Sequence, residues 1–402
     1  MNKAINNVLV KNLCTGCGIC TEISKQTIGE MKISPDGFLR PQTIRELNSL
    51  EVELFNSVCP GISVSHERRD NSFAPTWGPV KEVMTGHALD DEVRYKGSSG
   101  GIVSMLAIHL LESKQVQGVL HIVPSDKNPF ENVAQISRTR EEILRGAGSR
   151  YAPAAPLSRL LDCLSQEGVF AFIGKPCDVA SLKSLMRFNS TVKNKFPFLI
   201  AFMCAGTPSL HGSEEVVRTM GFDPSEVINF RYRGNGWPGK ARAEIKDGRS
   251  AEIDYDTSWG RILGKYLPFR CKICPDGTGE FADISCADAW KTDEKGYPLF
   301  TENAGRNLVI ARTDTGLRLI KELEESKKIL LDISSLADAE KMQPYQVHRK
   351  RTLLARLLGY TMAFKATPSY RNLGLFSSAK EISFIKQLRA IAGSWLRGLK
   401  SS

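Results

Sequence analysis

Long apolar runs and a P-loop glycine signature are missing from this chain of 402 residues. The longest apolar stretch, Phe196 to Gly206, spans eleven residues, whereas a helix needs about 20 to cross a bilayer. No Gly-x-Gly-x-x-Gly follows a predicted strand, and there is no Gly-x-x-x-x-Gly-Lys-Ser/Thr, which argues against Rossmann and P-loop nucleotide sites. The first eleven residues also lack the apolar segment of a secretory signal. We therefore expect a cytoplasmic protein.

Excess charge is missing from most of the chain. Residues 349–402 contain eleven Lys or Arg and one acidic residue, Glu381, so this tail carries the whole net charge of +10. A body with balanced charge lacks the basic face of a nucleic-acid-binding domain, and we expect no nucleic acid partner. The apolar content of 42% and charged content of 24% are ordinary for a globular protein.

The length predicts two or three domains, at roughly 150 residues each. We predict a small domain at 1–63, a linker at 64–81 without apolar periodicity, an α/β domain at 82–348 and a basic helical tail at 349–402. A hairpin is expected in the first domain, because Pro35-Asp36-Gly37 separates two extended pieces, Met31–Ser34 and Phe38–Pro41.

Short apolar strands alternate with helices in the predicted α/β domain. The strands are Val83 to Ala88, Gly118 to Val123, Val169 to Ile173 and Phe198 to Met203, and the intervening helices include Gly101 to Glu112 and Val179 to Met186. Such alternation is typical of βαβ units. The sequence therefore predicts a largely parallel sheet.

The sharpest motif in the chain is a run of three cysteines. Cys14, Cys17 and Cys20 are evenly spaced, and Cys59 is followed by Pro60. This pattern is typical of the four ligands of a [4Fe-4S] cluster in ferredoxin-type folds. A zinc knuckle, the alternative, usually has two separated Cys pairs or histidines. We therefore predict that 1–63 is a ferredoxin-like domain with one cluster.

A second set of cysteines is dispersed along the α/β domain. Cys177 and Cys204 each follow a predicted strand, and parallel strands end at the same sheet edge. Together with Cys271 and Cys274 they make four thiols, enough for a second [4Fe-4S] cluster. Cys286 is a fifth candidate. Each lone cysteine has the alternative role of a small buried apolar residue.

Two glycine-rich segments are candidates for phosphate or cofactor binding, and a third is a candidate lip for a planar anionic substrate. Lys96 to Gly101 precedes an apolar helix, where backbone N–H groups and the helix dipole favour an anion. Gly146 to Tyr151 adds an arginine for a phosphate and a tyrosine for stacking, and Arg231 to Gly239 combines arginines with a tryptophan. Each segment could also be a plain surface turn.

Taken in order, these pieces resemble the beta subunits of coenzyme F420 hydrogenase and dehydrogenase, a family that includes 7-hydroxymethyl chlorophyll a reductase. The pieces that carry the resemblance are Cys14 to Cys20 with Cys59-Pro60, Gly97 to Gly101, Gly148 to Tyr151, Gly174 to Asp178, Cys204 to Gly206, Arg231 to Gly239, Cys271 to Asp276 and Ala282 to Trp290. The resemblance implies an FAD and iron-sulfur oxidoreductase.

The resemblance also implies roles for individual residues. It makes Cys177, Cys204, Cys271 and Cys274 the ligands of an inner [4Fe-4S] cluster, with Cys286 as a substitute. It places FAD against Ser98, Ser99, Gly100, Gly101, Gly148, Ser149, Arg150, Tyr151 and Lys175. It assigns no catalytic acid or base.

The function that the resemblance implies has two versions. In the first, electrons from ferredoxin or reduced coenzyme F420 pass through two [4Fe-4S] clusters and FAD to a small organic substrate. In the alternative, the chain is an electron-transfer subunit of a larger redox complex and has no substrate of its own.

The tail contains a predicted amphipathic helix between Lys380 and Leu399. Its apolar face comprises Ile382, Ile385, Leu388, Ile391, Trp395 and Leu399, and lysines and arginines occupy much of the remainder. Such a helix can lie on an anionic membrane, here the inner face, with its Trp at the interface. The alternative is that the apolar face docks on the enzyme core or on another subunit.

Overall fold

An eight-stranded mixed sheet lies at the centre of the protein. The computed structural model describes residues 3–24, 29–67, 72–294 and 298–400. The strands are β1 Gly29–Ile33, β2 Leu39–Thr43, β3 Ser63–Ser65, β4 Phe73–Ala74, β5 Gly78–Pro79, β6 Glu82–Ala88, β7 Gly118–Pro124, β8 Asn132–Ser137, β9 Phe170–Gly174, β10 Phe198–Phe202, β11 Val227–Arg231, β12 Ala241–Ile245, β13 Ser250–Ile253, β14 Ile284–Asp288, β15 Asn307–Ala311, β16 Ile329–Ile333 and β17 Ser369–Arg371.

Helices cover both faces of this sheet and form the C-terminal region. They are α1 Lys3–Val10, α2 Ser49–Val58, α3 Asp91–Lys96, α4 Ile102–Glu112, α5 Arg140–Arg145, α6 Leu160–Ser165, α7 Pro176–Phe188, α8 Ser190–Lys195, α9 Leu210–Thr219, α10 Phe269–Lys272, α11 Asp314–Glu325, α12 Leu336–Met342, α13 Pro344–Arg351, α14 Leu353–Met362, α15 Leu375–Ala379 and α16 Phe384–Lys400. None of the helices in the described ranges is both long and apolar enough to cross a membrane.

The central sheet has the strand order β16-β6-β15-β14-β10-β9-β7-β8. The pairs β14–β10, β10–β9 and β9–β7 are parallel, and the outer pairs are antiparallel. Five of the eight strands therefore run in one direction, which confirms the predicted largely parallel sheet at its centre. The β7–β8 pair departs from it because a short loop joins them, and a parallel return needs a crossover of a dozen or more residues.

Two apolar clusters sandwich the sheet. On one face α4 and α11 pack with Ile200, Ile284 and Val309. On the other, Leu182 of α7 packs with strand residues such as Phe172, and this cluster continues into Phe55 of α2 and Tyr360 of α14. The strand β9 is buried throughout, as expected for a strand covered on both faces. The N-terminal segment and the tail thus share a core with the sheet, and the boundaries at 63 and 349 stay predictions.

The predicted N-terminal hairpin is confirmed. β1 and β2 pair antiparallel with Ile33 opposite Leu39. Gly37 in the turn has a φ of 76°, a conformation that glycine adopts without the steric cost of a Cβ.

The stretch predicted as a linker is more ordered than its lack of periodicity indicates. Residues 68–71 lie outside the described residues, but β3, β4 and β5 flank them. β3 pairs in parallel with β17 of the tail, and Trp77 is 1% exposed. Short pieces held by distant partners have no local sequence period, which explains why the pattern did not reveal them.

Candidate cofactor and iron-sulfur sites

The first thiol group lies at the N-terminal end of the molecule. Cys14, Cys17, Cys20 and Cys59 line one small cavity of about 20 Å³, whose other walls are mostly apolar, among them Ile5 and Phe55. The sequence-predicted ligands of the first cluster are therefore brought together, although Cys59 is far from the others along the chain.

Two glycines shape the loop that presents these thiols. Gly16 and Gly18 have φ angles of 74° and 88°, so the loop folds back on itself and the Gly16 N–H reaches the Cys14 Sγ at 3.4 Å. A Cβ on Gly18 would lie 2.8 Å from the Ser158 N, which shows how closely this loop packs on the α/β part. Leu157 N also donates to the Cys17 carbonyl at 3.1 Å.

Burial governs the acidity of this first thiol group. It raises the pKa of Cys14 and Cys20, and together with the Asp178 carboxylate it raises the pKa of Cys17 to about 11. Such thiols stay protonated at neutral pH unless a metal displaces the proton. The donor set is thus suited to a metal cluster rather than to a free reactive thiolate.

The second thiol group lies at the edge where β9 and β10 end. Cys177 is in the first turn of α7, and Cys204 follows β10. Cys271 is in α10, and Cys274 follows α10. Burial and the nearby Cys271 and Cys274 thiols raise the pKa of Cys204 to about 12. Burial raises the pKa of Cys177 as well, and the Asp178 carboxylate and the Cys204 and Cys274 thiols add to this. The four dispersed cysteines are therefore neighbours.

Cys286 and Cys163 stand apart from that group. Burial alone raises the pKa of Cys286 to about 12, without a contribution from another thiol. Cys163 lies in α6 within the apolar core and is fully buried. No other thiol contributes to the pKa of Cys286, in contrast to Cys177 and Cys204, and Cys274 stays the predicted fourth ligand.

Buried cations surround the second thiol group. Arg349 donates to the carbonyls of Cys204 and Cys271 at 2.9 and 2.8 Å, and Arg270 donates to the Pro60 carbonyl at 2.8 Å. Burial opposes the charge on Arg349, yet the thiols Cys274 and Cys271 raise its pKa. Its Nε is buried and has no hydrogen-bond partner in the described part of the chain.

The donor chemistry around the second thiol group is compatible with an iron-sulfur cluster. Across the described ranges, no three His, Cys, Asp or Glu side chains converge as the ligands of one ion would. A [4Fe-4S] cluster spreads its four thiolates around a larger body. Its negative charge suits the buried arginines, and its sulfur atoms are acceptors for an orphaned N–H such as Arg349 Nε.

A large cavity adjoins this second group. It has a volume of about 270 Å³ and is lined by the two glycine-rich segments predicted to bind a cofactor, by Lys175 and Asp178, and by Cys204 and Cys286. The residues from these segments are Gly97, Ser98, Ser99, Gly101, Gly146, Ala147, Gly148, Ser149, Arg150 and Tyr151. Eight of the nine residues predicted to bind FAD therefore face one cavity.

The two glycine-rich segments meet at the N-terminus of α4. The hydroxyls of Ser98 and Ser149 lie 2.6 Å apart, and Gly101 at the α4 N-cap has a φ of 79°. Gly100, the ninth predicted residue, does not line the cavity. A Cβ there would lie 2.7 Å from the Gly86 carbonyl oxygen, so Gly100 allows this loop to pack against β6.

Two predicted cationic contacts have different surroundings. The Arg150 guanidinium is already bonded to the Asn132 side chain and reaches the Glu131 carbonyl at 3.4 Å. Lys175 pairs with Asp178 at 2.7 Å. Burial opposes the charge on Lys175, but Asp178 and Cys177 outweigh it and raise its pKa. Lys175 is therefore a buried charged group on the wall between the cavity and the thiols.

An aromatic wall closes the other end of the cavity. Asp288 accepts two hydrogen bonds from Arg233 at 2.9 and 2.7 Å and one from Trp237 Nε1 at 2.7 Å. Trp290 stacks on Trp237 with ring centroids 4.9 Å apart, and Tyr255 follows at 5.6 Å. The predicted segment Arg231 to Gly239 thus contributes Arg233 to the cavity.

Sequence reasoning missed several lining residues. Tyr255 and Trp259 come from a π-helical turn, Asp256–Ile262 with its N-cap, and His121 comes from β7. No motif marks them. Gly234 to Gly239 does have the spacing Gly-x-Gly-x-x-Gly and follows β11, but it leads into β12 instead of a helix, so it lacks the Rossmann context.

Comparison with known proteins gives a consistent result. The family models described as coenzyme F420 hydrogenase/dehydrogenase beta subunit N-term and C terminus match residues 83–162 and 168–335. Coenzyme F420 hydrogenase subunit beta of Methanococcus voltae is 23% identical over 294 residues, which are 72% of this chain and 99% of the relative. F420-dependent formate dehydrogenase subunit beta of Methanocaldococcus jannaschii is 23% identical over 241 residues, 59% of this chain and 61% of the relative.

A solved structure has a similar fold. It is a chain of the F420-reducing [NiFe] hydrogenase complex from Methanosarcina barkeri, with a TM-score of 0.52 and 20% identity. The similarity covers 69% of this chain and 95% of that one.

Proposed function

The chain belongs to the coenzyme F420 hydrogenase/dehydrogenase beta-subunit family, and on that premise we propose that it is an electron-transfer subunit of a larger redox complex. The relatives named above are subunits of a hydrogenase and of a formate dehydrogenase, which supports this version over a free-standing reductase. We propose that its cofactors are two [4Fe-4S] clusters and FAD.

One observation carries the proposal: the same cavity is lined by the glycine-rich segments and by Cys204. A flavin held by Ser98, Ser99, Gly148 and Ser149 would lie directly beside the second thiol group. The first thiol group is near as well, since Asp178 borders the cavity and also raises the pKa of Cys17. Residues next to both thiol groups therefore line this cavity.

Bound FAD pairs single electrons from iron-sulfur clusters into two-electron transfers. The protein residues supply the framework for this chemistry. The two groups of thiols would bind iron, and the loops before α4 and α6 would hold the flavin. The Lys175–Asp178 pair fixes charge at the wall between them. Because Lys175 and Asp178 are buried, this wall would keep water away from bound cofactors.

In a second version of the proposal, the chain is a reductase that acts on its own small organic substrate. The aromatic wall of Trp290, Tyr255 and Trp259 favours it, because these rings could stack on a planar molecule that enters the same cavity. The electron partner is coenzyme F420 or ferredoxin in either version, and the names of the relatives support coenzyme F420.

Anaerobic purification and an assay with and without a partner subunit test the proposal. We expect a brown protein with about eight irons per chain, from two clusters of four, and about one FAD. Reduced coenzyme F420 should reduce the bound flavin in the isolated chain, whereas turnover of an acceptor should require the partner. Absence of iron and flavin would refute the cofactor assignment, and turnover of a small organic acceptor by the isolated chain would favour the reductase.

A further inference from the structure

The C-terminal helix α16 docks through its small residues. Ser394 and Gly398 are its buried positions. A Cβ on Gly359 of α14 would lie 2.3 Å from the Ile391 carbonyl oxygen, and one on Gly398 would lie 2.5 Å from Ala363 Cβ. The two helices therefore approach backbone to backbone. This arrangement differs from the expectation that an amphipathic tail helix docks its apolar face on the core.

The apolar face of α16 is left open. Phe384 is 74% exposed, Ile385 63%, and Leu388, Trp395 and Leu399 between 40% and 48%. Exposed apolar side chains scattered singly are ordinary on a protein surface, but a continuous row is unusual and marks an interaction surface. At 3.6 residues per turn these five positions form one apolar row along the helix, about 100° wide and about 22 Å long.

Basic side chains lie beside that row. On a helical projection, the side of α16 next to the apolar row carries four basic residues, Lys386, Arg389, Arg397 and Lys400. The helix contains no acidic residue. Residues 349–402 carry all of the net charge of the chain, with Glu381 as their only acid. An apolar, Trp-bearing row flanked by cations matches the amphipathic helices that bind membrane interfaces.

We propose that α16 attaches the protein to an anionic lipid surface. The apolar row enters the boundary between headgroups and acyl chains, and the basic row contacts anionic headgroups. The region lies beyond residues 83–335, to which the family models extend, so the surface is separate from the shared cofactor-binding part. Its charge also favours lipid: an uncharged apolar row alone would suit a protein interface equally well.

Vesicle co-sedimentation with the full chain tests this proposal. We expect binding to vesicles of phosphatidylcholine with phosphatidylglycerol at low salt, and release at high salt. Removing a cation by Lys386→Gln or Arg389→Gln should weaken binding about fivefold each. The double substitution Leu388→Gln/Trp395→Gln should weaken it at least about tenfold. The matched controls Ile333→Gln and Lys321→Gln, at exposed sites elsewhere, should bind like the wild type.

Several results would overturn the proposal. Failure to bind anionic vesicles, equal binding to pure phosphatidylcholine, or binding that the α16 substitutions leave unchanged would each do so. Self-association that Leu388→Gln/Trp395→Gln abolishes, seen by light scattering without vesicle binding, would instead make the row a protein interface. Circular dichroism and cofactor content establish that each variant is folded. Because these tests do not depend on electron transfer, their failure leaves the proposed redox function untouched.

Discussion

Replacing one cysteine of either thiol group should remove about half of the iron from the protein. Cys17→Ser removes a proposed ligand from the first group and Cys177→Ser removes one from the second. Each [4Fe-4S] cluster holds four irons, so each variant should fall from about eight irons per chain to about four. The flavin should respond differently in the two variants.

The difference in flavin follows from where the two groups lie. The four thiols of the first group line their own cavity, and none of them lines the large cavity. Cys204 of the second group does line it. Cys17→Ser should therefore keep about one flavin per chain, whereas Cys177→Ser should lose a substantial part of it, because the cavity wall loses the cluster behind it.

The assay compares anaerobically purified variants. Iron is measured by a colorimetric chelator, flavin by absorbance after release, and the clusters by electron paramagnetic resonance of the reduced protein. Cys163→Ala is the matched control, since Cys163 is buried but lies in the apolar core, and it should keep all the iron. Cys286→Ala should also keep it.

Two results would refute this reasoning. Equal loss of flavin from Cys17→Ser and Cys177→Ser would show that the two sites are not separate. Loss of about four irons from Cys286→Ala would show that Cys286 is a ligand, and the assignment of Cys274 would then be wrong.

Three further predictions concern the cavity. Gly148→Ala should raise the flavin dissociation constant about tenfold and leave the iron in place. The φ of 90° at Gly148 is unfavourable for alanine, and a Cβ would lie 2.8 Å from the Arg233 carbonyl oxygen. Unchanged flavin content on dialysis would contradict this. Asp288→Ala should lower the free energy of unfolding by about 3–5 kcal/mol in urea titrations, because it leaves the buried Arg233 unpaired, and a loss below about 1 kcal/mol would argue against the pair. Burial lowers the pKa of His121 from 6.5 to about 4 in the folded state. Below pH 6.5 the unfolded chain therefore binds one proton more than the folded chain at this site. The free energy of unfolding should fall by about 3 kcal/mol as the pH drops to 4. His121→Gln should flatten this dependence, and a variant that keeps the full slope would contradict the assignment.

Local pattern was sufficient for several features of the protein. The Cys14, Cys17 and Cys20 spacing, the Pro35-Asp36-Gly37 turn and the amphipathic C-terminal helix are short-range signals, because ligand spacing, turn conformation and helical periodicity each depend on a few neighbouring residues. The alternation of strands and helices likewise predicted the parallel centre of the sheet. The order of the motifs was also sufficient to identify the family.

Other features depended on contacts between distant segments. The antiparallel edges of the sheet, the aromatic wall of Tyr255 and Trp259, and the strands within the predicted linker have no local period, because each is stabilised by partners far along the chain. The surroundings of Cys286 also depend on the tertiary structure. Cys286 is buried in β14, and burial alone raises its pKa.

The tail shows the division between sequence and tertiary structure most directly. The sequence by itself determined that α16 is amphipathic, since helical periodicity alone assigns its apolar and basic faces. Only the tertiary structure decided which face is buried. Because close approach to Gly359 requires small side chains, Ser394 and Gly398 are the residues of α16 that pack against α14. Trp395 remains exposed to solvent.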